Sequence, residues 1–353
     1  MEKIINQCVG IDCAKLDFEV SFSVCDASRE IKHVSGKKFA NDSKGFKALM
    51  SFVTKLADSK LPLSFVMETT GVYHQHLARF IHDNGFNLSI VVPKQAKDFS
   101  KTLKIRSVND RIASQYLAVM GLEKKLDLWT PPKKEYRTLK QMTREKERIQ
   151  KLLSITKNEL EAETHSIDPL KNTLKRLKQQ IKFLTEQRKE VLAEIKEYIA
   201  NNSSIKEEVK ILTSIPGIGE ATAACVLAET DGFSLTRNRR QLVSYAGYDV
   251  INHVSGTSIN TKASISKKGS KHIRKAMHMA ALSSIKHDKE SKAKFTRIVS
   301  KTSIKMKGVV AIQRKLLVLC YTLFKTKKHF DPDYEEKKRG DFTPPRELDL
   351  VRS

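Results

Sequence analysis

The sequence predicts an α/β domain followed by a mainly helical chain, and three observations support this division. Short buried strand-like runs alternate with helical patterns over about the first 130 residues. Leucine and isoleucine then recur in steps of four and three residues, which is typical of packed helices. The segment that follows is strongly basic but keeps apolar residues at helical spacing, so we predict that it is folded. We therefore expect four parts, namely residues 1–130, 131–203, 204–330 and a tail over 331–353.

The hydrophobic pattern of the first part predicts its strands and helices. CVGIDCAKLDFEVSFSV predicts a buried strand ending at Asp12, a turn, and a second, alternating strand. LSFVMETT and NLSIVVP predict two further buried strands. NDSKGFKALMSFVTKLA, GVYHQHLARFIHDNG and NDRIASQYLAVMGLEKK predict helices, the first of them capped by Asn41, Asp42 or Ser43. Buried strands that alternate with helices indicate a sheet with at least partly parallel pairing.

The second part predicts a helical hairpin or coiled coil whose turn lies near HSIDP. We interpret it as a packing and oligomerisation element without chemistry of its own. In the third part, the stretch SIPGIG predicts a tight turn that leads into a helix N-terminus. Backbone N–H groups at such a turn, around Gly217 and Gly219, can hold a phosphate, as in helix–hairpin–helix DNA-binding proteins. A plain interhelical turn is the alternative.

The charge of the chain narrows the class of partner. Its 353 residues carry a formal net charge of +25, which indicates a polyanion such as a nucleic acid. An acidic membrane would require an amphipathic anchor or a lipidation signal, and the sequence shows neither, so we predict no membrane partner. The five cysteines share no CxxC spacing, which favours a reducing cytoplasm over a disulfide framework or zinc site.

Three carboxylates of the first part predict a metal site. Asp12 and Glu68 each end a buried strand, where a charged group needs water, a partner or a metal, and Asp110 begins a helix. Carboxylate oxygens are ligands that Mg²⁺ (or Mn²⁺) prefers, and such ions support phosphoryl transfer. Structural or capping roles are the alternative. Sugar kinases and actin-like ATPases also place an aspartate in this way, but the glycine-rich phosphate loops that they need are missing.

Seven segments of the chain, in their order and spacing, resemble one family. They are GIDCAK, METTGVYH, VNDRIAS, TSIPGIGEATAACVLAE, QLVSYAGY, SGTSINTKASISKKGSKHIRKAMHMAA and MKGVVAIQRKLLVLCYTLFK. The chain resembles the DEDD transposases of the insertion-sequence one-ten family and the related Piv-type DNA invertases, from about Cys8 to Phe330. The resemblance implies a RuvC-like first domain of the RNase H fold and a C-terminal transposase domain.

The resemblance also implies an acidic tetrad, and this chain departs from it at one position. Asp12, Glu68 and Asp110 match three members, but the fourth acid of the pattern Asp-x-x-Asp-Ala is replaced by Ala113. Three readings stay open. The chain works with three acids, it is degenerate, or an aspartate was changed to alanine to disarm it.

The family's nucleophilic serine corresponds to Ser255, next to Thr257 and Ser258; without the resemblance, Ser255 reads as a turn residue before Gly256. The basic residues that would neutralise the phosphate are Lys262, Lys267, Lys268, Lys271, Arg274 and Lys275.

Further partners follow only from the resemblance. Family members pair a structured guide RNA with donor and target double-stranded DNA, whereas Piv-type invertases share the protein pattern without clear evidence of a guide. A homo-oligomer is implied, a dimer that becomes a tetramer in the synapse, in the cytoplasm of a bacterium or archaeon and associated with the nucleoid. The rival functions are a RuvC-like structure-specific nuclease, which needs the acids but not Ser255, and a catalytically decayed nucleic-acid-binding protein.

Overall fold

The chain divides into two units at Pro131 and Pro132 in the computed structural model. The structure describes residues 3–334 apart from residues 70, 104, 106–108, 253, 256–258 and 261–263. At residues 254–255 and 259–260 it describes the backbone only.

A five-stranded mixed sheet forms the centre of the first unit. Its strands are β1 (Ile4–Cys13), β2 (Asp17–Asp26), β3 (Ile31–Ala40), β4 (Leu63–Glu68) and β5 (Asn87–Val91). Their order is β3-β2-β1-β4-β5, with β2 antiparallel to both β1 and β3, β4 parallel to β1, and β5 parallel to β4. The central strand β1 is therefore hydrogen-bonded on both sides, which fixes its register.

Four helices pack with this sheet, and a separate hydrophobic core lies on each of its two faces. They are α1 (Ser43–Leu56), α2 (Gln75–Asp83), α3 (Pro93–Thr102) and α4 (Asp110–Glu123). Val9 and Ile11 of β1 pack in one core with Leu49 of α1. Cys8 of the same strand packs with Leu117 of α4 in another. Because side chains alternate along a strand, every second residue of β1 faces α4.

Helix α4 lies directly against the backbone of β1 at Gly10. A Cβ atom on Gly10 would lie 1.9 Å from the carbonyl oxygen of Ser114 and 2.4 Å from the amide nitrogen of Ala118. Both atoms belong to the helix backbone, so no side-chain rotation relieves the overlap. Glycine at position 10 therefore sets the distance between α4 and the strand that carries Asp12.

The second unit is helical apart from four strands of two residues in its described part. Its helices are α5 (Lys134–Thr164), α6 (Lys171–Asn201), α7 (Ser203–Thr213), α8 (Glu220–Thr230), α9 (Arg239–Tyr245), α10 (Lys271–His287), α11 (Lys289–Thr302) and α12 (Lys305–Thr326). Its strands are β6 (Val250–Ile251), β7 (Val254–Ser255), β8 (Ile259–Asn260) and β9 (Ser264–Ile265). Strand β6 pairs with β9, and β7 pairs with β8. Helices α5 and α6 form the helical hairpin predicted for the middle of the chain.

The predicted fold class is confirmed, with a mixed α/β unit followed by a mainly helical one. Asp42 is the N-cap of α1, accepting a hydrogen bond from the Gly45 amide nitrogen at 2.7 Å, as one of the three predicted residues. Strand β3 and helix α3 were not predicted. Within the described ranges, no helix is both long and apolar enough to cross a membrane. The predicted tail from residue 331 lies outside the described residues after Tyr334.

Candidate active site

The three predicted carboxylates come together on the face of the sheet that α4 covers. Ile11 pairs with Met67 between the parallel strands β1 and β4, so Asp12 and Glu68 follow at adjacent positions of neighbouring strands. Asp12 stands two positions beyond Gly10, and Glu68 stands two positions beyond Val66. Because side chains two positions apart on a strand point to the same face, both carboxylates lie on the α4 side of the sheet. Asp110 is the first residue of α4.

The electrostatics of these groups show that they interact. The pKa of Asp12 is raised from 3.8 to about 6, first by burial and in addition by the charges of Asp110 and Glu68. Burial also raises the pKa of Glu68, while a hydrogen bond from Tyr116 acts against that rise. Mutual repulsion among three acids is what a bound cation would relieve.

Tyr116 is a member of this site that the sequence did not single out. Its side chain is 6 % exposed and lies on α4, where burial and the charges of Glu68 and Asp12 raise its pKa to about 12. The hydroxyl therefore keeps its proton and can donate to Glu68. The signal was present in the spacing, because Asp110, Ala113 and Tyr116 follow at intervals of three residues and so lie near one another on one side of a helix.

Ala113 lies between Asp110 and Tyr116 on α4 and is 4 % exposed. It packs in the apolar core with Cys8, Val66 and Leu117, on the helix that carries Asp110. The position where the family pattern has a fourth acid is thus a buried, apolar one in this chain. Its methyl group contributes packing and no metal ligand.

A divalent cation matches the donor chemistry of this site. Three carboxylates, half-buried or exposed, supply the hard oxygen ligands that Mg²⁺ or Mn²⁺ takes. Among the described residues, however, no three His, Cys, Asp or Glu side chains are spaced as a ready coordination sphere. The acids are close enough to shift the pKa of Asp12 without forming a closed cage. Asp12, Glu68 and Asp110 are the residues that would hold the ion.

The raised pKa of Asp12 predicts a pH dependence of stability. A raised pKa in the folded state contributes stability that is present below pH 3.8 and is lost as the pH rises through about 6. We expect metal-free Asp12→Asn to gain about 1–2 kcal/mol of unfolding free energy relative to the unmodified chain between pH 4 and pH 7, after allowance for solvent screening. Urea unfolding at both pH values measures this difference, and a constant difference would contradict the expectation.

The SIPGIG turn joins α7 to α8, and its two glycines differ in their surroundings. Gly217 has a φ of +93°, and a Cβ atom there would lie 2.6 Å from the carbonyl oxygen of Ala280 on α10. Gly219 is the N-cap of α8 and has no atom within 4 Å of its Cβ position. Only Gly219 therefore leaves open space beside the helix N-terminus, where Glu220 adds a negative charge. A phosphate contact at this turn stays a prediction.

The predicted basic residues are distributed over the start of α10 and the strand segment before it. Lys267, Lys268, Lys271 and Lys275 are exposed, and Lys275 forms an ion pair with Glu147 at 3.3 Å. Lys262 lies outside the described residues. The backbone of Ser255 belongs to the two-residue strand β7. Its proposed role as nucleophile stays a prediction.

Arg274 is tied to the protein backbone. Its guanidinium donates hydrogen bonds to the carbonyl oxygens of Ala246 at 2.8 Å and Gly269 at 3.0 Å. Strands β6 and β9 lie between Ala246 and Gly269 in the chain and pair with each other. Next to this pair, the Ser266 hydroxyl donates a hydrogen bond to the Asp249 carboxylate at 2.5 Å. Arg274 thus joins the two ends of the segment that contains Ser255.

Two family models match consecutive parts of this chain. A DEDD transposase model of the IS110 group matches residues 9–169, which include Asp12, Glu68 and Asp110. A model described as the transposase IS116/IS110/IS902 family matches residues 209–296, which include Ser255. The chain belongs to this family of DEDD transposases, as the sequence resemblance predicted, and it is a DNA recombinase of the transposase class. Membership implies DNA binding and dependence on a divalent metal ion.

The chain is also similar to individual proteins. It is 26% identical over 336 residues to the pilin gene-inverting protein of Moraxella bovis, covering 93% of this chain and 98% of that protein. The pilin gene-inverting protein of Moraxella lacunata matches with the same identity and coverage. Among solved structures, RuvC of T. thermophilus in complex with a Holliday junction substrate matches 35% of this chain and all of its own chain, with a TM-score of 0.27 and 7% identity. The fowlpox virus Holliday junction resolvase matches 33% of this chain and 99% of its own, with a TM-score of 0.24 and 14% identity.

Proposed function

We propose that this protein is the site-specific recombinase of an insertion sequence, which cuts and rejoins DNA with an acidic metal site and a serine nucleophile. The observation that carries the proposal is the convergence of Asp12, Glu68 and Asp110 on one face of the sheet, where burial and the charges of Asp110 and Glu68 raise the pKa of Asp12. Groups that disfavour one another's ionisation are a mark of catalytic sites.

Each residue has a stated role in this proposal. The three carboxylates hold a divalent ion, Mg²⁺ or Mn²⁺, which when bound withdraws charge from the scissile phosphate. Tyr116 donates to Glu68 and keeps that carboxylate oriented. The Ser255 hydroxyl attacks phosphorus, so a serine–phosphate ester forms and the bond to a deoxyribose oxygen breaks, and the serine proton passes in net terms to that departing oxygen, which leaves as a hydroxyl. A sugar hydroxyl later reverses this exchange, which rejoins the DNA and frees the serine.

A structured guide RNA and self-association complete the proposal. A net charge of +25 and the lack of a zinc-finger or helix-turn-helix pattern support base pairing by an RNA as the reader of sequence. The α5–α6 hairpin supports association with further copies, first as a dimer and in the synapse as a tetramer. Several apolar side chains of the two helices are exposed and could be covered by another copy. Leu152, Ile155 and Phe183 are 45 %, 43 % and 62 % exposed.

One observation favours a second candidate function. Ala113 supplies no ligand and fits the surrounding apolar core, which is what a nucleic-acid-binding protein with decayed or disarmed chemistry would show. A structure-specific nuclease would share the acids and not require Ser255.

Recombination in cells separates these candidates. The gene with its own flanking DNA is tested as written, with Ala113→Asp, and with Ser255→Ala in both backgrounds. We expect recombined junctions, sequenced across the join, that disappear with Ser255→Ala and a covalent protein–DNA adduct that depends on Ser255. Junctions formed only with Ala113→Asp identify a disarmed recombinase. Cleavage without an adduct indicates the nuclease, and product that survives Ser255→Ala contradicts the serine mechanism.

A further inference from the structure

Helix α11 and the first half of α12 form a second strongly basic part of the helical unit. Residues 289–315 contain nine Lys or Arg residues and a single acid, Glu290. None of the nine belongs to the basic stretch 262–275 that was assigned to the scissile phosphate. The chemistry of this second basic region needs its own explanation.

The two helices bring these charges together by packing closely. Ser303, in the left-handed region with a φ of 55°, ends α11 and lets the chain turn back into α12. A Cβ atom on Gly308 would lie 2.7 Å from the ring of Phe295, so the α12 backbone rests on an α11 side chain. Across this contact, Lys315 donates to Glu290 at 2.9 Å.

The register of α11 aligns its cations with that contact. Glu290, Lys294 and Arg297 follow in steps of four and three and therefore share one side of the helix. Glu290 is already paired with Lys315, which places Lys294 and Arg297 beside the basic residues Arg314 and Lys315 of α12. We refer to Lys294, Arg297, Arg314 and Lys315 as the α11–α12 cationic cluster.

The environment of Lys294 shows that the cluster is under repulsion. Its side chain is half-buried, and burial lowers its pKa, followed by the charges of Lys315, Arg297 and Arg314. Other cations of this unit have acids at hand, such as Arg144 with Glu229 and Lys275 with Glu147. Within residues 289–315, Glu290 is the single acid available to the four cations of the cluster. Repulsion among these cations lowers the stability of the fold, and a bound anion would reduce that repulsion.

We propose that the α11–α12 cationic cluster binds phosphate groups of a nucleic-acid backbone, as a contact separate from residues 262–275. Two guanidinium groups offer paired donors that match phosphate oxygens, and the ammonium groups add point charges. Contacts from lysine and arginine to phosphate oxygens carry no base information, so the contact positions the nucleic acid and does not select a sequence. The choice of ligand class rests on the proposed function, whereas the presence of an anion site rests on the cluster itself.

Lys294→Met is the sharpest test, because binding and stability are expected to move in opposite directions. Methionine keeps the length and the apolar stem of the side chain and removes one of four mutually repelling charges. We expect the Tm of the full chain to rise by about 1–2 °C and the affinity for labelled nucleic acid to fall by about threefold to tenfold. A lower Tm together with weaker binding would mean that Lys294 is only structural, and this overturns the proposal.

A double variant and a matched control separate the cluster from the general field of a basic protein. Arg297→Gln with Arg314→Gln removes two charges from the cluster. Lys175→Gln with Lys178→Gln removes two exposed charges from α6. Affinity is measured by fluorescence anisotropy between about 50 and 200 mM salt. We expect the cluster variant to reduce the slope of log K against log salt by about 1–2 and the control to change it far less.

The probe distinguishes the two sources of phosphate. Duplex DNA and a structured RNA hairpin of similar length are compared with every variant. A selective loss with either probe, or with both, supports the cluster and identifies its ligand. Equal losses from the cluster and control variants overturn it. Since binding needs no cleavage, a chain that binds through the cluster but never forms junctions would count against the proposed recombinase mechanism only.

Discussion

Arg144→Ala is expected to lower the free energy of unfolding of the helical unit by about 3–5 kcal/mol. The guanidinium of Arg144 on α5 donates to both carboxylate oxygens of Glu229 on α8, at 2.7 and 3.1 Å. Glu229 is 2 % exposed, and Lys140 is 3.7 Å from it. Removing the arginine leaves a buried carboxylate with one weakly placed cation, which is much more costly than losing an exposed pair.

Urea unfolding of the full chain measures this effect against two matched variants. Arg148→Ala removes an exposed arginine of the same helix, paired with Glu145 at 3.1 Å, and is expected to cost less than about 1 kcal/mol. Glu229→Gln in the Arg144→Ala background removes the buried charge and is expected to recover part of the lost stability. Equal losses from Arg144→Ala and Arg148→Ala would show that the buried pair contributes no more than a surface pair.

Ala113→Asp is expected to destabilise the metal-free chain and to increase its affinity for Mn²⁺ about tenfold or more. The new carboxylate replaces a methyl group that is 4 % exposed and enters a site where Asp12, Glu68 and Asp110 already disfavour ionisation. Without a cation, we expect the Tm to fall by roughly 5 °C, since a buried charge is added next to like charges. A divalent ion reverses the sign, because a fourth oxygen ligand becomes available.

Thermal unfolding with EDTA and with increasing Mn²⁺ measures both parts of this expectation. Ala113→Asn is the matched control, as it has nearly the same size and polarity but lacks the charge. We expect the asparagine variant to be destabilised without the large recovery in Mn²⁺. If the two variants respond equally to the ion, position 113 does not face the metal site, and the family's fourth acid has no counterpart at this place.

The elements with a strong hydrophobic period were predicted from the sequence, and those without one were missed. Strands β1, β2, β4 and β5 bury long apolar runs, and the α5–α6 hairpin keeps its spacing over two helices of 31 residues each. Strand β3 is different, because seven of its ten residues are exposed and it contains Lys32, Lys37 and Lys38. It is stabilised by backbone pairing with β2 at the edge of the sheet, and such pairing leaves no period in the sequence.

The same distinction applies to the candidate site. Asp12 and Glu68 were predicted because a charge at the end of a buried strand conflicts with its surroundings. The role of Tyr116 depends on how α4 lies over β4, which the sequence does not state. The surroundings of Gly217 could not be predicted either. The space beside its Cα atom is occupied by the backbone of α10, which lies more than 60 residues later in the chain.

The contact of α4 with Gly10 makes the spacing of the acids a property of the main chain. Gly121, at the other end of α4, is a second close approach, where a Cβ atom would lie 2.4 Å from the side-chain sulfur of Cys8. With main-chain atoms in contact at Gly10, larger or smaller apolar residues elsewhere on the helix change stability more than they move Asp110 relative to Asp12. The apolar residues around the site can therefore diverge between relatives while its geometry is inherited, and the two glycines are the positions where sequence drift would disturb it.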